Sequence, residues 1–382
     1  MRCHWVLLGA VLLLGAIDVT SSYNVWKLAR ANGNFAFSLY RKVINGAAGE
    51  NVFFSPFSIS TALSMTYAGA RGNTANQMST VLGFRQRRFN VHATFRATLA
   101  SLNSPQARYK LALANGVFVN TQFSMFPTFT DLLASYYSAG FKSLDFDNDA
   151  QRSADYINQW VEQRTNNKIK DIVTADGVQG SPLVLVNTIY FKGDWTRRFN
   201  DAESAPFHVS NTNTISVEMM SKTGIFRYAA NHHLQCQILE LPYDGYRVSM
   251  YILLPMATEG LASLESKLTF NAVTSALANL RRRRLSVGIP RFGIDKQLDL
   301  IPLLHSMGIV LAFNTAADFG RISSLRPLFV KDVIHKAFIT VNETGTEAAA
   351  ATVVAFYNSL PMKTRGSGTT SQWAQANAAK ST

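Results

Sequence analysis

Nine residues near the middle of the chain limit its architecture more than any others. Leu183 to Phe191 reads LVLVNTIYF, an almost continuous apolar run of strand-forming residues. A strand with one wet face alternates apolar and polar residues, whereas an unbroken run marks a strand covered on both faces. The chain must therefore supply layers for both sides of a sheet. It has the material, since 47% of its 382 residues are hydrophobic and only 16% charged. That is far from the composition of a disordered chain. The 23 Gly follow no period, which excludes collagen, and two Cys exclude a disulfide scaffold or a cysteine-rich zinc array.

The first half reads mainly as helix. Asn24 to Ile44 has helical spacing, and Ser55-Pro56-Phe57-Ser58 is a helix start followed by Ile59, Leu63 and Tyr67 on one face. Thr74 to Leu82, Val91 to Leu102 and Ala154 to Gln163 read as further helices, with Leu111 to Val119 as a strand. The second half shifts to strands. Cys236 to Leu241 and Arg247 to Leu254 flank Pro242-Tyr243-Asp244-Gly245, a hairpin turn. Leu285 to Ile289 and Val333 to Val341 are strands, and Leu298 to Met307 is a helix. With no repeat and no Pro/Ser linker, one α+β unit fits better than two domains. Arg365 to Thr382 is polar and small apart from Trp373, and disorder is expected there.

Arg2 and His4 precede an apolar run from Trp5 to Ala16, with Thr20, Ser21 and Ser22 behind it. This pattern predicts a secretory signal over residues 1–22 and a secreted, extracellular protein. The run is shorter than the roughly 20 apolar residues that span a bilayer. Cys236 would then be the one cysteine of the mature chain, better read as a small buried hydrophobe than as a reactive thiol. The net charge of +13 favours acidic partners. Arg281, Arg282, Arg283 and Arg284 are consecutive, and Arg85, Arg87 and Arg88 form a second group. Each run is either a solvated surface or a site for a polyanion such as a heparin-like glycosaminoglycan. No nucleic-acid motif is present.

Enzyme signatures fail. There is no H-E-x-x-H, G-x-S-x-G, P-loop or G-x-G-x-x-G. Asp145, Asp147 and Asp149 start like a calcium loop, but Ala150 and Tyr156 stand where Gly and Glu are needed. His232-His233 has no carboxylate or cysteine at metal spacing. No metal or cofactor is expected.

The most unusual segment is Val341 to Tyr357, VNETGTEAAAATVVAFY. An alanine run favours helix, yet it passes into Thr352-Val353-Val354, which favours strand. After Glu347 no charge appears before Lys363 and no proline before Pro361. Such a segment can enter a sheet without burying a charge or losing a ladder bond to proline. Gly345 supplies a hinge in front of it.

Here the chain resembles the serpin family, specifically its secreted arthropod members. The resemblance runs from about Tyr23 to Val354. It is carried by NVFFSPFSISTALSMTYAGARGNTANQM, VHATFRATLASL, LVNTIYFKGDWTRRF, LELPYDGYRVSMYILLP, PRFGIDKQLDLIPLLHSMGI, FNTAADFGRIS and IHKAFITVNETGTEAAAAT, in family order. It implies three sheets, about nine helices and a reactive-centre loop over 343–363, within a serpin domain of 23–363 and ahead of a tail at 364–382. It implies a monomeric serine protease inhibitor, not an enzyme, that is cleaved, stays bound to the protease as an acyl-enzyme, and inserts its loop into the large sheet.

The resemblance also assigns residues. Glu343, Gly345, Thr346, Glu347, Ala348, Ala349, Ala350 and Ala351 match the hinge of inhibitory members. Ser55, Ser58, Asn187 and His335 match a polar cluster under the opening sheet, to be read as a gate or as satisfied core groups. Trp195 matches the aromatic where insertion begins. Asn342-Glu343-Thr344 is the sole glycosylation sequon. Loop spacing places the scissile bond between Ser359 and Leu360, which suits elastase-like proteases. Tyr357 would suit a chymotrypsin-like enzyme and Lys363 a trypsin-like one. After Ser359 the family pattern stops, and the strand pair that closes the second sheet has no counterpart. The strands near Ile238–Leu241 and Val248–Leu254 are then expected to have unpaired edges. The alternatives to inhibition are a non-inhibitory serpin-fold binding protein and a truncated product without function.

Overall fold

The apolar run at Leu183 lies at the centre of the molecule. A computed structural model describes residues 6–8, 19–46 and 50–346. In chain order its elements begin with β1 (Val6–Leu8), α1 (Val19–Gly46), α2 (Pro56–Gly69), α3 (Gly72–Val81) and α4 (Val91–Leu102). Then come β2 (Tyr109–Asn120), α5 (Pro127–Tyr137), β3 (Gly140–Leu144), α6 (Ala150–Arg164), α7 (Ala175–Val178) and β4 (Leu183–Asp194). β5 (Glu203–His208), β6 (Thr214–Asn231), β7 (Cys236–Pro242), β8 (Ser249–Pro255), α8 (Leu261–Lys267) and α9 (Phe270–Ala278) follow. The last are β9 (Arg281–Pro290), β10 (Phe292–Asp299), α10 (Ile301–Met307), β11 (Val330–Val341) and β12 (Gly345–Thr346).

The first sheet has the order β10-β11-β12-β4-β2-β3, and β11 also pairs directly with β4. Both faces are covered, as the LVLVNTIYF run requires. Leu183 and Leu185 face a core built from α1, α2 and α4, with Leu39, Leu63 and Phe95 fully buried. Val184 and Val186 face the opposite layer, with Ile157, Trp160 and Val161 of α6. The helix start at Ser55 is observed: its side-chain oxygen accepts from the Ser58 N–H, with Pro56 in the first turn.

The second sheet runs β1-β8-β7-β6-β5, with β9 also on β6. Among the described residues hydrogen bonding joins the strands into two sheets, because β6 is long enough to serve two neighbourhoods. Its first part pairs with β5 and β9, and Arg227 to Asn231 pair with β7. One face of β7 and β8 packs against the first sheet through Leu239, Leu241, Met250 and Ile252. The other packs under α8 and α9, with Phe37 of α1. Cys236 is buried there, and burial pushes its thiol up to about 11, as suits a small core residue.

Three details differ from the sequence reading. β9 starts four residues before Leu285, so the arginine run lies within a strand. α10 starts at Ile301 because Leu298 is taken into β10. α1 begins at Val19, five residues before the helix read from Asn24.

Candidate functional site

Above Phe338 and Tyr190 the parallel ladder between β11 and β4 ends. The chain leaves β11, turns at Asn342, and re-enters the sheet as β12 between the same two strands. Thr346 pairs with Val341 and with Gly193, and Gly345 pairs with Asp194. The turn is held by Asn342, whose side-chain oxygen accepts from the N–H groups of Thr344 (3.0 Å) and Gly345 (3.1 Å). Glu343 forms an ion pair with the Arg291 guanidinium, and the Glu343 carbonyl accepts from the Phe199 N–H.

Trp195 is the anvil of this corner. Its backbone N–H donates to the Thr344 carbonyl and its indole N–H to the Asn342 carbonyl, at 2.8 and 2.9 Å. The indole stacks on Tyr243, with centroids 4.6 Å apart. Tyr243, from the hairpin turn between β7 and β8, shares a 2.7 Å hydroxyl bond with Thr346. Burial drives the Tyr243 phenol pKa upward, so it stays neutral. No reading of the sequence singled out Tyr243. Its signal was the PYDG turn, but its partner lies 103 residues away.

Below the corner a polar row crosses the sheet. His335 of β11 is in register with Asn187 of β4, which is in register with Asn115 of β2. His335 is fully buried, and desolvation lowers its pKa to about 3. It is therefore neutral, with Nε2 accepting from the Ser55 N–H (3.0 Å) and Nδ1 bonded to the Asn187 side-chain oxygen (2.6 Å). That pattern selects the tautomer with the proton on Nδ1. The Asn187 amide donates to the Ser58 carbonyl (2.8 Å), the Ser58 hydroxyl (2.6 Å) and the Asn115 side-chain oxygen. The four polar residues named from the sequence thus meet, and Asn115 joins them as one that was missed. An Asn inside the apolar strand LALANGVFV was the available signal.

Other sequence-predicted residues lie elsewhere. Arg281 to Arg284 are all exposed along β9. Arg85, Arg87 and Arg88 follow α3, where the Lys27 ammonium donates to the carbonyls of Arg87 and Arg88. The two arginine groups occupy different elements. Glu347, Ala348 to Ala351, Tyr357, Ser359, Leu360 and Lys363 lie outside the described residues. So does the tail.

Comparison with known proteins bears on this arrangement. The family model described as "Serpin (serine protease inhibitor)" matches residues 30–372. Human Serpin B3 is 36% identical, with 88% of this chain and 91% of the relative covered. Iripin-8 of Ixodes ricinus is 37% identical, covering 87% of this chain and 83% of the relative. The leukocyte elastase inhibitor of Sus scrofa is 38% identical, covering 85% and 88%. Among solved structures, uncleaved ovalbumin superposes with a TM-score of 0.80 at 30% identity, covering 85% of this chain and 89% of that one. The expectation of a secreted, extracellular protein does not stand. Serpin B3 and leukocyte elastase inhibitor are intracellular serpins without a signal peptide, and similarity to them points away from secretion. With the family model across most of its length and the same α+β fold, this chain belongs to the serpin family.

Proposed function

We propose that the chain inhibits a serine protease by acting as a substrate that closes on its own attacker. The observation that carries this reading is β12: Gly345 and Thr346 of the loop segment already lie between β11 and β4. Behind them, after Glu347, come four alanines, which a sheet can accept with little desolvation. In the reaction the protease serine attacks the carbonyl before the cut. An ester to the protease forms, and the new amine on the far side leaves. Insertion of the freed loop then carries the ester-linked protease with it and distorts its catalytic site.

Each residue at the corner has a part. Gly345 is the hinge, Trp195 and Tyr243 hold its entry, and the row of His335, Asn187 and Ser58 is the gate that parts as β11 separates from β4. The cut falls between Ser359 and Leu360. The similarity to leukocyte elastase inhibitors supports an elastase-like target. Incubation with pancreatic elastase, chymotrypsin and trypsin tests this. A complex that survives SDS, with Ser359 at the new terminus, is the expected result. Cleavage without a covalent complex for all three proteases overturns it.

A second reading rests on β9, whose four arginines are all exposed on one strand. These are the residues for a heparin-like polyanion. Replacing Arg281 to Arg284 by alanine should lower the salt needed for elution from immobilised heparin. Unchanged elution removes this site.

A further inference from the structure

β8 reads Ser-Met-Tyr-Ile-Leu-Leu-Pro, apolar on both faces. Ile252 and Leu253 are fully buried in different layers, one between the sheets and the other under α8 and α9. Such a strand belongs inside a sheet, because at an edge its unpaired backbone and apolar faces would template association. On one side β8 pairs along its length with β7. On the other, its neighbour among the described residues is β1, antiparallel, with Val6 opposite Leu253, Leu7 opposite Ile252 and Leu8 opposite Tyr251.

We propose that the outer edge of β8 is the docking surface for this chain's own N-terminal apolar segment. That segment stays with the folded protein as the strand that closes the second sheet. The register carries the argument, since β1 lies opposite both fully buried residues of β8. Composition agrees. Residues 5–16 form an apolar run, whereas beyond Lys363 the one large apolar residue is Trp373. Reach agrees as well. α1 places Phe37 in the same layer as Leu253, and Val19 to Phe37 rises about 27 Å along a helix. Ten residues separate β1 from α1 in the sequence, and a chain of that length can span at most roughly 33 Å.

The test uses the full chain made in eukaryotic cells, with intact mass and amide hydrogen exchange across Tyr251–Leu253. It is compared with a chain carrying Val6→Ser, Leu7→Gly and Leu8→Ser, and with the milder Leu7→Pro in case the triple variant fails to fold. The expected mass retains residues 6–8. Exchange at Tyr251–Leu253 should rise at least tenfold in the variants, and a synthetic peptide of residues 4–14 should reverse that rise. A folded product whose mass lacks residues 1–22 and whose β8 exchanges equally slowly overturns the proposal. So does a monomeric variant with unchanged exchange. Neither outcome depends on whether the loop traps a protease.

Discussion

Gly345 has no substitute. A Cβ there would overlap the Gly193 carbonyl oxygen and lie 2.6 Å from the Asp194 Cα, both backbone atoms that cannot swing aside. Gly345→Ala should expel β12 from the sheet. Because Trp195 holds the same turn, its fluorescence should change, and the loop should be cut faster by a non-target protease. Tyr243→Phe removes the bond to Thr346 and should weaken the same corner by about 1 kcal/mol, read as a smaller shift in the same signal. His335 gives a pH dependence. Folded, it titrates near 3; unfolded, it titrates near its ordinary 6.5. The unfolded chain therefore binds the extra proton, and stability present above about pH 6.5 falls as pH drops toward 3. Thermal midpoints between pH 7 and 4 should fall less steeply for His335→Gln than for the unmodified chain. Ser55, Ser58, Asn187 and His335 were legible through their sequence neighbourhoods. Asn115 was not, because its place beside Asn187, 72 residues away, is set by strand register alone.

Elements were more legible than their ends. The unbroken apolar run became a strand covered on both faces, and the Ser-Pro pair became a capped helix start, because both signals are local. β9 was misjudged at its start, since arginine is a poor strand signal until β6 supplies ten partners in register. A strand continuous from Thr214 to Asn231 also joins what local patterns separate. At this scale the alanine segment is the part to test. Ala350→Asp would place a charge in the segment that the proposed insertion buries. It should convert inhibition into plain cleavage, with little change in thermal midpoint before the cut. An unchanged yield of covalent complex would show that insertion does not reach that residue.

For the whole molecule, the two sheets meet at one corner through Trp195, Tyr243, Ile339 and Val341, so the hairpin of the second sheet braces the opening in the first. A cut anywhere within residues 347–363 should raise the thermal midpoint if the freed segment completes the first sheet. Scanning calorimetry before and after limited proteolysis reads this directly, and an unchanged midpoint would mean the segment stays outside. A short apolar stretch behind a basic residue has the same composition whether it is a secretory leader or an edge strand, so composition alone does not separate the sequence reading of residues 1–22 from the role proposed for β1.

The register of β12 also sets a timetable for the proposed insertion. With Gly345 and Thr346 already seated, the insertion proposed above would need no nucleation, and each further residue would advance one rung. Six rungs on, Thr352 would come opposite both Asn187 and His335. Its hydroxyl would arrive where the bond between those two has just broken, offering a replacement partner to each. The contest between ester hydrolysis and capture would then be decided at a single rung. Thr352→Val should shift that contest toward released protease.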